Sequence, residues 1–279
     1  MMKLNEWRLS SKLPKHETDM IIERVCGLDR LHILVVAANF ELSQTQIDEL
    51  NRLHDARYIQ KYPLQYLLGY TYFMGLKFKV TPDVLIPRYD TEFLVNEAIE
   101  CISSLPCAKI LDICTGSGCI AVSVAEKYKN NSNIKITAVD ISEKALDVAR
   151  ENAESIGVNV NFILSDMFDA FYDNENNTKE KFDIILSNPP YIDISEKIYM
   201  SEDTKNFEPE LALYANDNGL EFYKKIALNY KKLLNPDGHV IMEIGFKQGS
   251  AVADLFKDCR EVKIIKDLSG NDRVIHVFN

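Results

Sequence analysis

Asn188-Pro189-Pro190-Tyr191 follows the apolar run 182–187 and offers hydrogen-bond acceptors in place of donors. The run reads as a buried strand, and ligands of open α/β sheets bind beyond the carboxyl ends of strands. Two prolines remove two backbone N–H groups and fix two φ angles, so the strand stops there with its last carbonyls unpaired. Asn188 adds a side-chain carbonyl and Tyr191 an aromatic face, which together make a socket for a planar group carrying an NH2. The competing reading of the same residues is a strand that ends in a Pro-rich turn.

A second group lies upstream. Residues 109–113 run into Asp112-Ile113-Cys114-Thr115-Gly116-Ser117-Gly118, and helical spacing begins at once with Ile120, Val122, Val124 and Ala125. Glycines in such a strand-to-helix turn let the backbone approach a ligand and let the helix pack on the strand. Gly116-x-Gly118-x-x-Ala121 also fits a relaxed dinucleotide fingerprint, which leaves a nicotinamide enzyme and a methyltransferase both open. The next strand ends at Asp140, whose carboxylate could accept from two ribose hydroxyls. The one after ends in Ser165-Asp166-Met167, with Asp166 placed to accept from an adenine amine and Met167 to pack on the purine. The set Cys114, Thr115, Gly116, Ser117, Gly118, Asp140, Asp166 and Met167 therefore predicts a nucleoside site.

The elements that must position these groups follow from periodicity. Residues 18–40 and 46–66 carry apolar side chains at three- and four-residue spacing (Met20, Ile21, Val25, Leu28; Ile47, Leu50, Leu53), so the first quarter is predicted to be helical. From 70 to 86 the pattern turns short and aromatic about Gly75, which predicts a β-hairpin. A helix over 91–103 precedes an alternation of strands (109–113, 134–139, 160–164, 182–187, 239–244, 262–266, 273–278) with helices. Such alternation predicts a mostly parallel sheet covered by helices. The polar stretch 173–181 reads as an exposed loop.

A chain of 279 residues can bury a large core without staples. A formal charge of −10 argues against standing affinity for nucleic acid or anionic membranes. Six dispersed cysteines without a Cys-x-x-Cys pair, and opening residues without an apolar signal core, predict a reduced, cytoplasmic protein. The longest apolar stretch, around 33–38, is far short of a membrane span. The five histidines lie at least sixteen residues apart without ligand spacing, so no metal is predicted.

In order along the chain, the glycine turn, the strand-end acid and Asn-Pro-Pro-Tyr resemble class I S-adenosylmethionine-dependent methyltransferases that act on planar amines. The resemblance narrows to the PrmC/HemK family of release-factor glutamine methyltransferases and covers nearly the whole chain. It rests on Pro63-Leu64-Gln65-Tyr66-Leu67-Leu68-Gly69, on Val84-Leu85-Ile86-Pro87-Arg88 with Thr91-Glu92, and on Leu111-Asp112 through Gly118. It continues through Asn188 to Tyr191, Phe207-Glu208-Pro209 with Ala212-Leu213, Met242-Glu243-Ile244-Gly245 with Gln248, and Asp267-Leu268-Ser269-Gly270-Asn271-Asp272-Arg273. The resemblance implies an α/β, Rossmann-like seven-stranded catalytic domain whose last strand pair is antiparallel. It implies a helical release-factor-binding domain over 1–68, a hairpin linker over 69–89 and the methyltransferase domain over 90–279.

It further implies S-adenosylmethionine as methyl donor and, as substrate, the glutamine of the Gly-Gly-Gln loop in bacterial release factors 1 and 2. A monomer that binds neither nucleic acid nor membrane is expected. Asn188, Pro189, Pro190 and Tyr191 would bind the substrate, Asn188, Pro189 and Tyr191 would act in catalysis, and Asn188 would also border the methyl donor. Glu92, Glu208 and Glu243 stand open between structural bonds and substrate contacts. Three departures are visible. Cys114 replaces the usual first glycine of the turn, which argues against a positive φ there; Tyr89-Asp90 replaces Pro-Glu, with consequences for the hinge; and Asn216-Asp217-Asn218 occupies a stretch usually richer in glycine. Adenine methyltransferases of DNA or RNA use a similar tetrapeptide, but they call for a basic channel or a recognition domain. A non-catalytic release-factor-binding module is the remaining alternative.

Overall fold

Gly27 and Pro63 break the long helical periods of the first quarter into shorter pieces. The computed structural model describes residues 2–175 and 177–279; Met1 and Asn176 lie outside the described residues, and with them the first residue of the expected helical domain and one position of the expected polar loop. Helix α1 (Leu4–Ser10), which periodicity did not reveal, buries Leu4 and Trp7. Helix α2 (Lys15–Cys26) stops where Gly27 turns left-handed at φ 68°. Helix α3 (Arg30–Val36) starts again on Asp29, whose side chain accepts from the His32 N–H. Helix α4 (Gln44–Tyr58) opens with a Ser43/Gln46 capping box, and α5 (Leu64–Leu68) follows Pro63. The predicted helical stretches 18–40 and 46–66 are each spanned by two helices.

Contacts divide the chain into two units, and the first joins residues 1–70 to the later segment 201–207. Its core gathers Leu4, Trp7, Ile21, Ile22, Ile33, Leu50 and Leu53. The later segment contains helix α9 (Glu202–Phe207). Arg57 binds both Glu17 (2.8 and 2.9 Å) and Asp203 (3.4 Å), and the Tyr62 and Phe207 rings meet edge to face.

In the second unit, β1 (Tyr70–Phe73, of which Tyr70 is counted with the first unit) and β2 (Leu76–Lys79) form the hairpin. Its two-residue turn places Met74 at φ 51° and Gly75 at φ 75°, the left-handed pair that matches strand twist. Helix α6 (Thr91–Ser103) covers the predicted range. The strands β3 (Ala108–Ile113), β4 (Ile134–Asp140), β5 (Asn161–Leu164), β6 (Phe182–Ser187), β7 (Leu234–Glu243), β8 (Glu261–Lys266) and β9 (Asp272–Phe278) form one sheet in the order β5-β4-β3-β6-β7-β9-β8. The first five are parallel, and β9 runs antiparallel between β7 and β8. Strand β7 begins five residues before the predicted position, because Leu234 pairs with Phe182 ahead of a register shift that brings His239 opposite Ile184.

Helices α7 (Cys119–Lys127), α8 (Glu143–Ile156), α10 (Asn216–Gly219), α11 (Glu221–Leu233) and α12 (Gly249–Ala253) complete the unit. One core packs α6 and α7 on the sheet, and the other packs α11. The chain order reverses between β3 and β6, so the segments after these two strands diverge from a topological switch point. The glycine turn follows β3 and the tetrapeptide follows β6. Their strand ends are in register, with Ile113 opposite Ser187 and the Ser187 hydroxyl donating to the Ile113 carbonyl at 2.8 Å.

Candidate functional site

The turn after β3 is closed by its own backbone. The Thr115 N–H donates to the Val139 carbonyl at 3.0 Å and the Gly118 N–H to the Thr115 carbonyl at 2.8 Å. A Cβ on Gly118 would lie 3.0 Å from the Ala149 Cβ, so glycine there sets the approach of α7 to α8. A Cβ on Gly116 would meet no heavy atom within 4 Å, which leaves that backbone open. Cys114 adopts φ 59°, against the expectation drawn from its side chain. A left-handed non-glycine residue costs about 1–2 kcal/mol. Cysteine has one heavy atom on Cβ and no branch, and its sulfur packs 3.8 Å from the sulfur of Met167, itself at φ 48°.

Two acids support this wall. Asp112 is fully buried; its Oδ2 accepts from the Thr115 hydroxyl at 2.6 Å, and its Oδ1 has no partner among the described residues. Burial pushes its carboxyl up to about 7, with the Thr115 hydrogen bond opposing. Asp140 ends β4 and accepts from the Gly116 N–H (2.8 Å) and the Ser142 N–H (3.0 Å). Burial raises its pKa and those bonds lower it. Each Asp140 oxygen keeps a free lone pair for a hydroxyl donor.

These residues border a cavity of about 380 Å³. Cys114, Thr115, Gly116, Ser117, Asp140, Asp166, Met167, Asn188 and Pro190 of the predicted set line it, whereas Gly118, Pro189 and Tyr191 do not. Gly118 serves helix packing, and Pro189 is buried. The sequence reasoning assigned no role to Leu85, Ile141, Phe222 or Lys225, which also line the cavity. Phe222 and Lys225 sit three residues apart on one face of α11, and their spacing was the available signal. The lining fits a nucleoside carrying hydroxyls and an amine: acceptor carboxylates at Asp140 and Asp166, apolar surfaces at Ile141, Met167 and Phe222.

A relay of buried side chains fixes the tetrapeptide. The Thr91 hydroxyl, first in α6, donates its one proton to Glu243 Oε2 at 2.6 Å. Its oxygen can then only accept, and it accepts from Asn188 Nδ2 at 3.1 Å. This assigns the Asn188 amide orientation and leaves its Oδ1 without a protein donor among the described residues. The Tyr191 hydroxyl donates to Glu243 Oε1 at 3.1 Å, so its phenol is committed to the acid. Burial raises the Glu243 pKa, and the Thr91 and Tyr191 bonds with nearby Arg273 oppose it. Burial, with Glu243 adding, also raises the Tyr191 phenol well above its ordinary value. Behind the loop, Gln248 Nε2 donates to the Tyr191 carbonyl at 3.0 Å. A Cβ on Gly219 would lie 2.1 Å from that carbonyl oxygen, so only glycine fits.

The three open glutamates make structural bonds. Glu92 accepts from the Met74 N–H at 2.7 Å, and Glu208 accepts from the Ile86 N–H at 3.1 Å and from Arg88. Asn152 joins the hairpin to the glycine turn: its Oδ1 accepts from the Lys79 N–H at 2.6 Å and its Nδ2 donates to the Ser117 carbonyl at 2.9 Å. Asp217 and Asn218 both take φ 56°, a conformation Asp and Asn tolerate better than other side chains. Tyr89 is exposed, and Asp90 pairs with Arg273 at 3.3 Å.

Residues 106–274 match the family described as a methyltransferase domain. A seven-stranded sheet of this order, with that match, makes the second unit a class I methyltransferase. Residues 8–69 match the PrmC N-terminal domain. The chain is 38% identical over 277 residues to the release factor glutamine methyltransferase of Francisella tularensis, covering 98% of this chain and 92% of that one. It is 44% identical over 229 residues to the same-named protein of Lactococcus lactis, covering 81% and 79%. The chain therefore belongs to the release factor glutamine methyltransferase family. It also matches the bifunctional methyltransferase of Rickettsia typhi at 35% identity over 99% of this chain, and there it spans about half of the relative, 55%. Among solved structures, a methyltransferase from Pyrococcus furiosus shares the fold at TM-score 0.52 and 20% identity, covering 85% of this chain and 98% of that one. A Thermus thermophilus 16S rRNA methyltransferase in complex with AdoMet and guanosine shares it at TM-score 0.54 and 14% identity, covering 75% and 49%. No helix among the described residues is long and apolar enough to cross a membrane.

Proposed function

We propose that this chain transfers a methyl group from S-adenosylmethionine to the side-chain amide nitrogen of the glutamine in the Gly-Gly-Gln motif of bacterial release factors 1 and 2, and so modulates translation termination. The observation that carries this reading is the Thr91–Glu243 relay, which leaves the Asn188 carbonyl oxygen free at the cavity wall. Cys114, Thr115, Gly116, Ser117, Gly118, Asp140, Asp166, Met167 and Asn188 form the cofactor site, with Asp140 accepting from ribose hydroxyls and Asp166 from an adenine amine. S-adenosylmethionine supplies a methyl group made electrophilic by its sulfonium.

A glutamine amide nitrogen is a poor nucleophile because its lone pair is delocalised into the carbonyl. Asn188 Oδ1 and the Pro189 carbonyl each accept one amide N–H, orienting the nitrogen and stabilising the positive charge it gains. Pro190 walls the slot. Tyr191, tied to Glu243, holds the loop and packs its ring on the amide plane. The nitrogen becomes a strong acid as it is methylated, and its proton leaves to water without a protein base. Residues 1–68 act as the release-factor-binding domain, 69–89 as the hairpin linker and 90–279 as the methyltransferase domain. The protein works as a cytoplasmic monomer without direct contact to nucleic acid.

Incubation with labelled S-adenosylmethionine and a purified release factor, with duplex DNA and ribosomal RNA as competitors, tests the proposal. Mass spectrometry should find one added methyl on the Gly-Gly-Gln peptide. Label confined to nucleic acid would replace this reading with an adenine methyltransferase, and absence of turnover despite release-factor binding would replace it with a binding module.

A further inference from the structure

Far apart in sequence, His239 and His276 become diagonal neighbours because β7 and β9 pair antiparallel, with His239 opposite Phe278 and Ile241 opposite His276. Both side chains lie on the sheet face covered by α6, which brings Cys101 to them. One ligand atom from each of Cys101, His239 and His276 lies within 4.8 Å of the others. The expectation of no metal rested on chain spacing, and this trio is assembled by strand register.

The hydrogen bonds define which nitrogens are available. His276 Nδ1 lies 2.7 Å from Glu97 Oε1, so that nitrogen carries the proton and Nε2 carries a lone pair. His239 Nδ1 lies 2.9 Å from that Nε2. We propose that Cys101 Sγ, His239 Nδ1 and His276 Nε2 form a three-ligand site for a zinc-class divalent cation, clamping α6 onto β7 and β9.

The geometry requires little movement. Tetrahedral bonds of about 2.0–2.1 Å to nitrogen and about 2.3 Å to sulfur separate neighbouring ligand atoms by about 3.3–3.6 Å. The two imidazole nitrogens, 2.9 Å apart, must therefore part by a few tenths of an ångström, and Cys101 Sγ, within 4.8 Å of them, must close by up to about 1 Å. On binding, the cation takes the place of the proton shared by the two rings, and His239 carries its own proton on Nε2 instead. Glu97 supplies the carboxylate that orients a metal-bound histidine, and it is itself held by Lys263 at 3.5 Å. Cys101 binds as its thiolate, releasing its proton to solvent as the cation offsets the charge. Cys101 and His239 are each part-exposed, which gives the ion an entry path and leaves a fourth position open to water. The Cys/His2 donor set favours zinc or cobalt over magnesium or calcium.

Titration of the metal-stripped full chain with Co2+ reads the site directly. The wild type should develop a thiolate-to-cobalt charge-transfer band that saturates at one ion per chain and is displaced by Zn2+. Cys101→Ser should abolish the band, His239→Gln should weaken binding about 10-fold or more, and Cys107→Ser, at an exposed cysteine, should leave both unchanged. Cooperative thermal melting of each variant checks folding. A wild type without the band, a band that survives Cys101→Ser, or affinity unmoved in a folded His239→Gln protein would overturn the proposal.

Discussion

The two walls of the cavity are built by opposite means. On the side of the glycine turn, a stretch of seven residues shapes itself through its own backbone, with Cys114, Gly116 and Gly118 all at positive φ. On the side of the tetrapeptide, the decisive contacts come from remote chain. Asn188 is held by Thr91, 97 positions away, and Thr91 by Glu243, 152 positions from Thr91. A wall made of local backbone tolerates side-chain change, as Cys114 demonstrates. A wall made of a proton-ordered relay loses its orientation when any member loses its polarity, because each bond direction is dictated by the next.

Substitutions on the relay side should therefore act on turnover, and those on the turn side on stability. The largest effect is expected for Asn188→Ala, which removes an oriented acceptor: kcat should fall by about 2–4 kcal/mol of transition-state stabilisation. Equilibrium dialysis should show cofactor affinity changed far less than single-turnover methylation. Next comes Thr91→Val, which leaves Asn188 contacts intact in shape but frees its amide to flip and strands one Glu243 oxygen. Loss of a buried hydrogen-bonding partner costs about 1–3 kcal/mol. Here Thr91 is a positioning residue, so kcat should drop with KM little altered, and Thr91→Ser should restore most of it. A Thr91→Ser protein as slow as Thr91→Val would remove the relay from the mechanism.

Legibility in the sequence divides along the same line. The glycine turn, Asp140, Asp166-Met167 and the succession of strands along the chain could be read directly, because each is signalled within a few residues by turn chemistry or periodicity. The breaks at Gly27 and Pro63 carried standard stop signals that the apolar spacing masked. What local sequence does not carry is the pairing of distant elements. Glu243 looked equally suited to a cap or a substrate contact until β7 placed it beneath Thr91 and Tyr191. Phe222 and Lys225 became cavity residues only through the rotation of α11, and His239 met His276 only through the register of β7 and β9. The Asp217 and Asn218 departure lost its significance for a related reason: the backbone needs the left-handed region there, and two residue types besides glycine can supply it.

Asp112 tests the turn side through pH. Its carboxyl lies at about 7 in the folded protein against an ordinary 3.8, so the folded state holds a proton that the unfolded chain releases in that window. The associated stability is complete below about pH 4 and is lost as pH rises to about 7. Asp112→Asn carries no such proton. The melting temperature of the variant relative to the wild type should rise between pH 4 and pH 7 and then level off. A difference independent of pH would mean that Asp112 stays ionised in the fold.

The smallest effect separates strain from function at Cys114, where the family resemblance leads one to expect glycine. Cys114→Gly relieves a left-handed side chain worth about 1–2 kcal/mol but gives up the sulfur contact with Met167 and adds backbone freedom to the unfolded state worth about 0.4–1 kcal/mol. These terms oppose one another, so thermal unfolding should shift by only a few degrees. The backbone path through Thr115 and Gly116 is unchanged by the substitution, since both its bonds to Val139 and Asp140 use main-chain N–H groups. Cofactor affinity measured by calorimetry should therefore stay within about threefold, below 1 kcal/mol. A loss well beyond that would show that the Cys114 side chain contacts the ligand, and the turn wall would then depend on side-chain chemistry as the tetrapeptide wall does.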